Sequence, residues 1–156
     1  MCRPLLVAVF AALAISCGDD APTSPSGSAV SFAGEWTGSW LRQSCSETAG
    51  TITVGCSGLP TSEALRATLT QSGTQVQGRV EVGAFLVTVS GSVGSDGSLS
   101  LTGEGRILTT AFRLSNWRTT RSDGTMAGSF TFAFVPDDPT FATITFTAGL
   151  QNVTLR

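Results

Sequence analysis

The chain of 156 residues contains no histidine, no lysine and no tyrosine, and only four cysteines and two methionines. Without histidine, the commonest general base and the commonest zinc ligand are both missing. Nine arginines face eleven acids, so there is no excess of positive charge of the kind a nucleic-acid surface needs. The missing lysine carries no functional reading of its own. Long apolar runs are equally scarce: the only one, Leu5 to Ile15, is eleven residues long. About twenty apolar residues are needed to cross a bilayer as a helix, so this run is too short to span and fits the core of a secretory signal.

What is present begins with that signal. Arg3 supplies the positive start, and the apolar run ends at Ser16-Cys17, followed by Gly18 to Ser28, a stretch without one large apolar residue. Such a stretch cannot bury enough surface to offset the entropy of ordering it, and it reads as a flexible linker. The sequence Leu13-Ala14-Ile15-Ser16-Cys17 resembles the lipobox of bacterial lipoproteins, with alanine at the position where leucine is usual. That resemblance implies cleavage before Cys17, acylation of Cys17 and a domain tethered to a membrane of the cell envelope, facing the periplasm or the exterior. The expected organisation is a signal peptide over residues 1–16, a lipidated linker over 17–31 and one domain over 32–156.

With Cys2 leaving in the signal and Cys17 acylated, Cys45 and Cys56 remain as a pair in an exported, polar segment. An oxidising compartment permits a disulfide between them. A metal site there would need further ligands, and none of the sequence's groupings provides them, so no metal and no cofactor are expected.

From residue 35 onward apolar residues alternate with polar ones at period two, the mark of half-buried strands. Leu65, Ala67 and Leu69 alternate with Arg66, Thr68 and Thr70; Val76, Val80 and Val82 with Gln77, Arg79 and Glu81. The pattern continues through Phe85, Val87 and Val89, then Leu99 and Leu101, then Leu108, Phe112 and Leu114, and closes with Phe130 to Phe134 and Ile144 to Leu150. Gln71-Ser72-Gly73-Thr74, Gly94-Ser95-Asp96-Gly97 and Arg121-Ser122-Asp123-Gly124 separate the runs, and Gly and Asp-Gly there tolerate the positive φ of tight hairpins. About eight antiparallel strands with one apolar face admit a sandwich or a closed barrel. Closure removes unpaired edges. The expected fold is therefore all-β, an eight-stranded antiparallel up-and-down β-barrel after a signal peptide and flexible linker.

Gly34-Glu35-Trp36 at the head of this meander resembles the Gly-x-Trp entry of lipocalin and avidin-type (calycin) barrels, in which the tryptophan closes the base and lies on a basic side chain. The resemblance implies Gly34 and Trp36 as the base motif, with Arg156 as the cation over the ring. Avidin-type proteins also use a tyrosine for biotin, and this chain has none. No residue set suggests catalysis, so a non-enzymatic role is expected: binding a small apolar ligand, with Trp40, Phe85, Phe112, Phe130, Phe132 and Phe134 as candidate lining. Two alternatives stand beside it, an interaction module resembling periplasmic protease-inhibitor barrels with an envelope protein as partner, and a structural lipoprotein with a solid interior. Asp137-Asp138 reads as a solvated turn rather than a calcium site. Trp117 with Arg118 and Arg121 reads as a barrel-end tryptophan covered by arginines rather than a binding surface.

Overall fold

The structure is a computed structural model that describes residues 30–48, 50–53 and 55–156. The signal sequence and Cys17 lie outside these residues. Eight strands follow one another: β1 (Gly34–Thr48), β2 (Ser62–Ser72), β3 (Gln75–Val82), β4 (Phe85–Val93), β5 (Leu99–Ile107), β6 (Thr110–Ser122), β7 (Thr125–Pro136) and β8 (Thr143–Leu155). Each pairs antiparallel with the next, and β1 pairs with β8, so the sheet is a closed up-and-down barrel.

The period-two pattern explains which way each strand faces. Along β2 the burial alternates strictly, with Leu65, Ala67 and Leu69 inside and Arg66, Thr68 and Thr70 in solvent. The inward residues of all eight strands meet in one apolar core that includes Trp36, Trp40, Leu101, Phe112, Trp117, Phe132 and Phe146. A barrel of eight strands is just wide enough for its own side chains to fill it, and aromatic rings dominate the filling here. Phe132 alone has the rings of Phe85, Phe112, Phe134 and Phe146 at 5.3–6.3 Å.

Closing so narrow a barrel requires the strands to bend sharply, and inward-facing glycines let them. A Cβ on Gly91 would lie 1.8 Å from the carbonyl oxygen of Ser100, and one on Gly78 would lie 2.0 Å from that of Thr68. Register shifts between Thr37 and Ser39, and between Ser115 and Arg118, add twist at two further points. Asn116 and Asn152 sit near these shifts at φ of 49° and 50°, a conformation asparagine tolerates better than most residues.

Turns at residues 73–74, 94–98 and 123–124 lie at one end with the entering chain and the C-terminus. This end is the base. Asp123 and Gly124 both have positive φ, as an Asp-Gly hairpin turn requires. The opposite end, the mouth, carries residues 50–53 and 55–61 and the connections at 83–84, 108–109 and 137–142. Leu108 belongs to this end and corrects the sequence reading: it does not join the apolar face of a strand but occupies the β5–β6 turn, at φ 50° and 89% exposed. The alternation fails there because the chain reverses direction between Ile107 and Thr110.

Candidate functional site

The base is plugged. Phe32 is fully buried, its N–H donates to Gln71 Oε1 at 2.7 Å, and its carbonyl accepts the Trp36 indole N–H at 2.8 Å. Gln71 also donates to the carbonyls of Val30 and Gly73. The cation over Trp36 is Arg121, whose guanidinium carbon lies 5.5 Å from the ring centroid and which also donates to the Ser31 carbonyl. Arg156 instead donates through Nε to Thr37 Oγ1 at 3.1 Å, and its backbone N–H to the Glu35 carbonyl. The sequence reading of Arg156 as the ring's partner is therefore corrected: the β6–β7 hairpin, not the end of β8, carries arginine across the base. Trp117 is buried too, stacked on Phe130 at 5.4 Å with its N–H donated to Thr119, while Arg118 points outward.

The mouth is built differently. The Cys45–Cys56 disulfide joins β1 to a short 3-10 turn (Cys56–Gly58). Arg42 reaches under the same turn and donates to the carbonyls of Cys56 and Leu59 at 2.7 and 3.1 Å, while Glu47 accepts the Cys56 N–H at 2.5 Å. On its other side the segment is sewn to the β7–β8 connection: the N–H groups of Thr51 and Ile52 donate to the Thr140 carbonyl, and Ala142 N–H donates to the Ile52 carbonyl. These attachments place Leu59 beside one edge of the opening and Phe141 beside another.

Between them lies a depression of about 520 Å³, walled on its apolar side by Leu59, Phe134, Pro136, Phe141, Ala142 and Ile144. Thr109, Thr110, Asp137 and Asp138 line the remainder. The volume falls within the range of roughly 300–1,000 Å³ typical of small-molecule pockets. Of the six residues expected to line a ligand site, the structure brings only Phe134 to this depression. Phe112, Phe130 and Phe132 are at most 2% exposed and belong to the packed core, and Phe85 packs half-buried between Phe112 and Phe134. Trp40 is also buried, stacked on Phe146 at 5.1 Å, and its indole N–H finds no acceptor among the described residues. The aromatic alternation was a correct signal for the interior, but an interior filled by its own rings leaves room for a ligand only at its end. Leu59 and Phe141 come from connections without periodicity, where no sequence pattern marks them.

The two adjacent acids of the rim are both engaged. Asp137 pairs with Arg106, and Asp138 Oδ1 accepts from the N–H and hydroxyl of Thr140 at 2.9 and 2.7 Å. The Thr140 backbone N–H, and secondly its hydroxyl, hold the Asp138 carboxyl below its ordinary range. A carboxyl depressed on folding contributes stability at pH above its unfolded value and loses it as pH falls through the folded one. Thr140 in turn holds Thr51 and Ile52, so acidification below about pH 4 should loosen the mouth. Asp96, held down by the Ser98 hydroxyl and N–H at the base, weakens the whole fold in the same direction. Local hydrogen exchange separates the two: the Thr51 and Ile52 amides are expected to lose protection before the core amides on acidification, and Asp138→Asn should abolish that difference.

Among the described residues no group of three or more metal-ligating side chains gathers anywhere. Compared with protein-family models, with curated proteins and with solved structures, the chain matches none, so the fold and the site geometry carry the functional reading by themselves.

Proposed function

We propose that the protein is a lipid-anchored barrel of the bacterial cell envelope that binds a small apolar ligand, of the size of a single fatty-acyl chain, in the depression at its mouth, and that it does so without catalysis. The observation that carries this reading is the pairing of an apolar wall from Leu59, Phe134, Phe141 and Ile144 with a rim of Thr109, Thr110, Asp137 and Asp138 around an open volume of about 520 Å³. An apolar wall supplies affinity through burial, and the polar rim fixes which end of the ligand stays in water. The acylated Cys17 implied by the lipobox-like sequence supplies the anchor, and the Gly34/Trp36 entry is in keeping with lipocalin-type barrels.

The alternative of a protease-inhibitor-like module draws less support, because residues 30–33, which would have to extend into a cleft, are engaged with Gln71 and Arg121. A purely structural role accords with the filled interior but leaves the apolar opening without a purpose.

Titration of the purified protein with palmitate, followed by displacement of a hydrophobic dye, tests the proposal. Saturable displacement is expected. Phe141, 40% exposed, can be changed to serine without opening the core; losing much of one aromatic contact, worth about 1.5–3 kcal/mol when fully buried, should weaken binding by about tenfold. Absence of saturable binding, or an unaltered affinity in Phe141→Ser, would overturn it.

A further inference from the structure

A second depression lies not at the mouth but on the outer wall, where β2 to β6 border a shallow, open trough of about 790 Å³. A closed barrel is convex, so the trough needs a cause. Gly78 and Gly103 both lie in its floor; a Cβ on either would fall 2.0 and 2.5 Å from the carbonyl oxygens of Thr68 and Thr88. Neither position has room for a side chain, so the floor is bare backbone between the outward-facing rows.

The registers show what faces outward in the trough. Thr70 pairs with Gln77, Gln77 with Ser90, and Ser90 with Thr102, giving one exposed row of hydroxyls and an amide across four strands. Beside it runs a second row, Arg79, Thr88, Glu104 and Arg113. On the opposite side a contiguous smaller depression, sharing Ser90 and Thr102, adds Arg118 and Asn116. Glu104 meets Arg113 at 3.5 Å, an exposed and weak pair. Arg79 and Arg118 form no ion pair among the described residues, although Asp96 lies near enough to Arg118 to feel its charge. Arg79, Arg113 and Glu104 thus line the trough, and Arg118, with Asp96 nearby, lines the adjoining depression, in a chain whose formal net charge is −2.

We infer that this trough binds an acidic polysaccharide laid across the strands, its sugar hydroxyls on the Thr70–Gln77–Ser90–Thr102 row and its carboxylates on Arg79, Arg113 and Arg118. Neighbouring strands stand about 4.8 Å apart, comparable to the length of one sugar ring, so each ring meets one polar rung. Guanidinium groups are the side chains best shaped to grip carboxylates through paired hydrogen bonds. Other polymers fit less well. A peptide strand requires a free sheet edge or apolar side-chain pockets, and a closed wall of hydroxyls provides neither. Single-stranded nucleic acid requires aromatic faces for its bases, and the trough has none.

Electrophoresis of the full chain through gels containing polygalacturonate tests this inference, with dextran as the neutral polysaccharide and polyglutamate as the acidic polymer without sugars. Retardation is expected in polygalacturonate alone. The double variant Arg79→Gln, Arg118→Gln should weaken it about tenfold, the size of two exposed charge contacts, with an unchanged thermal midpoint. Glu104→Gln should strengthen it, a gain that misfolding cannot produce. Absence of retardation, equal retardation by polyglutamate or dextran, or indifference to all three substitutions would overturn the assignment. Palmitate binding at the mouth is measured separately, so either result stands without the other.

Discussion

Phe132→Ala is expected to lower the stability of the barrel by about 3–5 kcal/mol, the range for deleting a fully buried aromatic ring. Phe132 has no solvent exposure and sits at the middle of an aromatic chain, with Phe112 stacked at 6.2 Å, Phe146 at 5.6 Å and Phe134 edge-on at 5.3 Å. Its neighbours belong to β4, β6, β7 and β8, each paired on both sides in the closed sheet, so none can move in to fill the space. Chemical denaturation followed by tryptophan fluorescence measures the effect. Phe134→Ala makes the informative comparison: half-buried at the mouth, it should cost markedly less stability. A Phe132→Ala variant losing less than about 1 kcal/mol, below the range for cavity formation, would mean that the interior is not closely packed.

The second large effect comes from the disulfide. Cys45 and Cys56 are 11 residues apart in sequence, and the loop-entropy model credits closure of a loop of this size with about 3 kcal/mol. For a domain of this size the double variant Cys45→Ser, Cys56→Ser should therefore melt about 10 °C lower. The loss has a local side as well. Without the bridge, the 3-10 turn keeps the hydrogen bonds to Arg42 and Glu47 but loses its covalent tie to β1, so Leu59 is held less firmly at one wall of the mouth. Scanning calorimetry reads the first effect and palmitate affinity the second. An unchanged melting temperature under reducing conditions would show that the hydrogen bonds of Arg42, Glu47, Thr51 and Ile52 hold the segment without the bridge.

Much of this architecture was legible in the chain itself. Val76, Val80 and Val82 alternate with Gln77, Arg79 and Glu81, and this fixes which side of β3 is wet, because in a strand neighbouring side chains must point to opposite faces. Asp123-Gly124 marked its hairpin for an equally local reason. What failed, or stayed hidden, depended on neighbours distant in sequence. Whether Arg121 or Arg156 crosses Trp36 is decided by where the β6–β7 turn lies beside β1, which no local pattern encodes. Leu108 looked like a core residue because apolarity alone does not distinguish a strand end from a turn. The polar trough was invisible for a related reason: Thr70, Gln77, Ser90 and Thr102 are unremarkable singly and form a row only once four registers are set.

The entry of the chain at the base has a mechanical consequence. If the chain is anchored through Cys17 as proposed, a pull from that side would be met first by Phe32 and its clamps, then by β1, which is zipped to β2 over eight residue pairs and to β8 over eleven. Force along β1 acts on those pairs in shear, all together rather than one by one. The opening stands at the pole opposite the entering chain, so under the proposed anchoring such traction would reach it last and leave its shape intact.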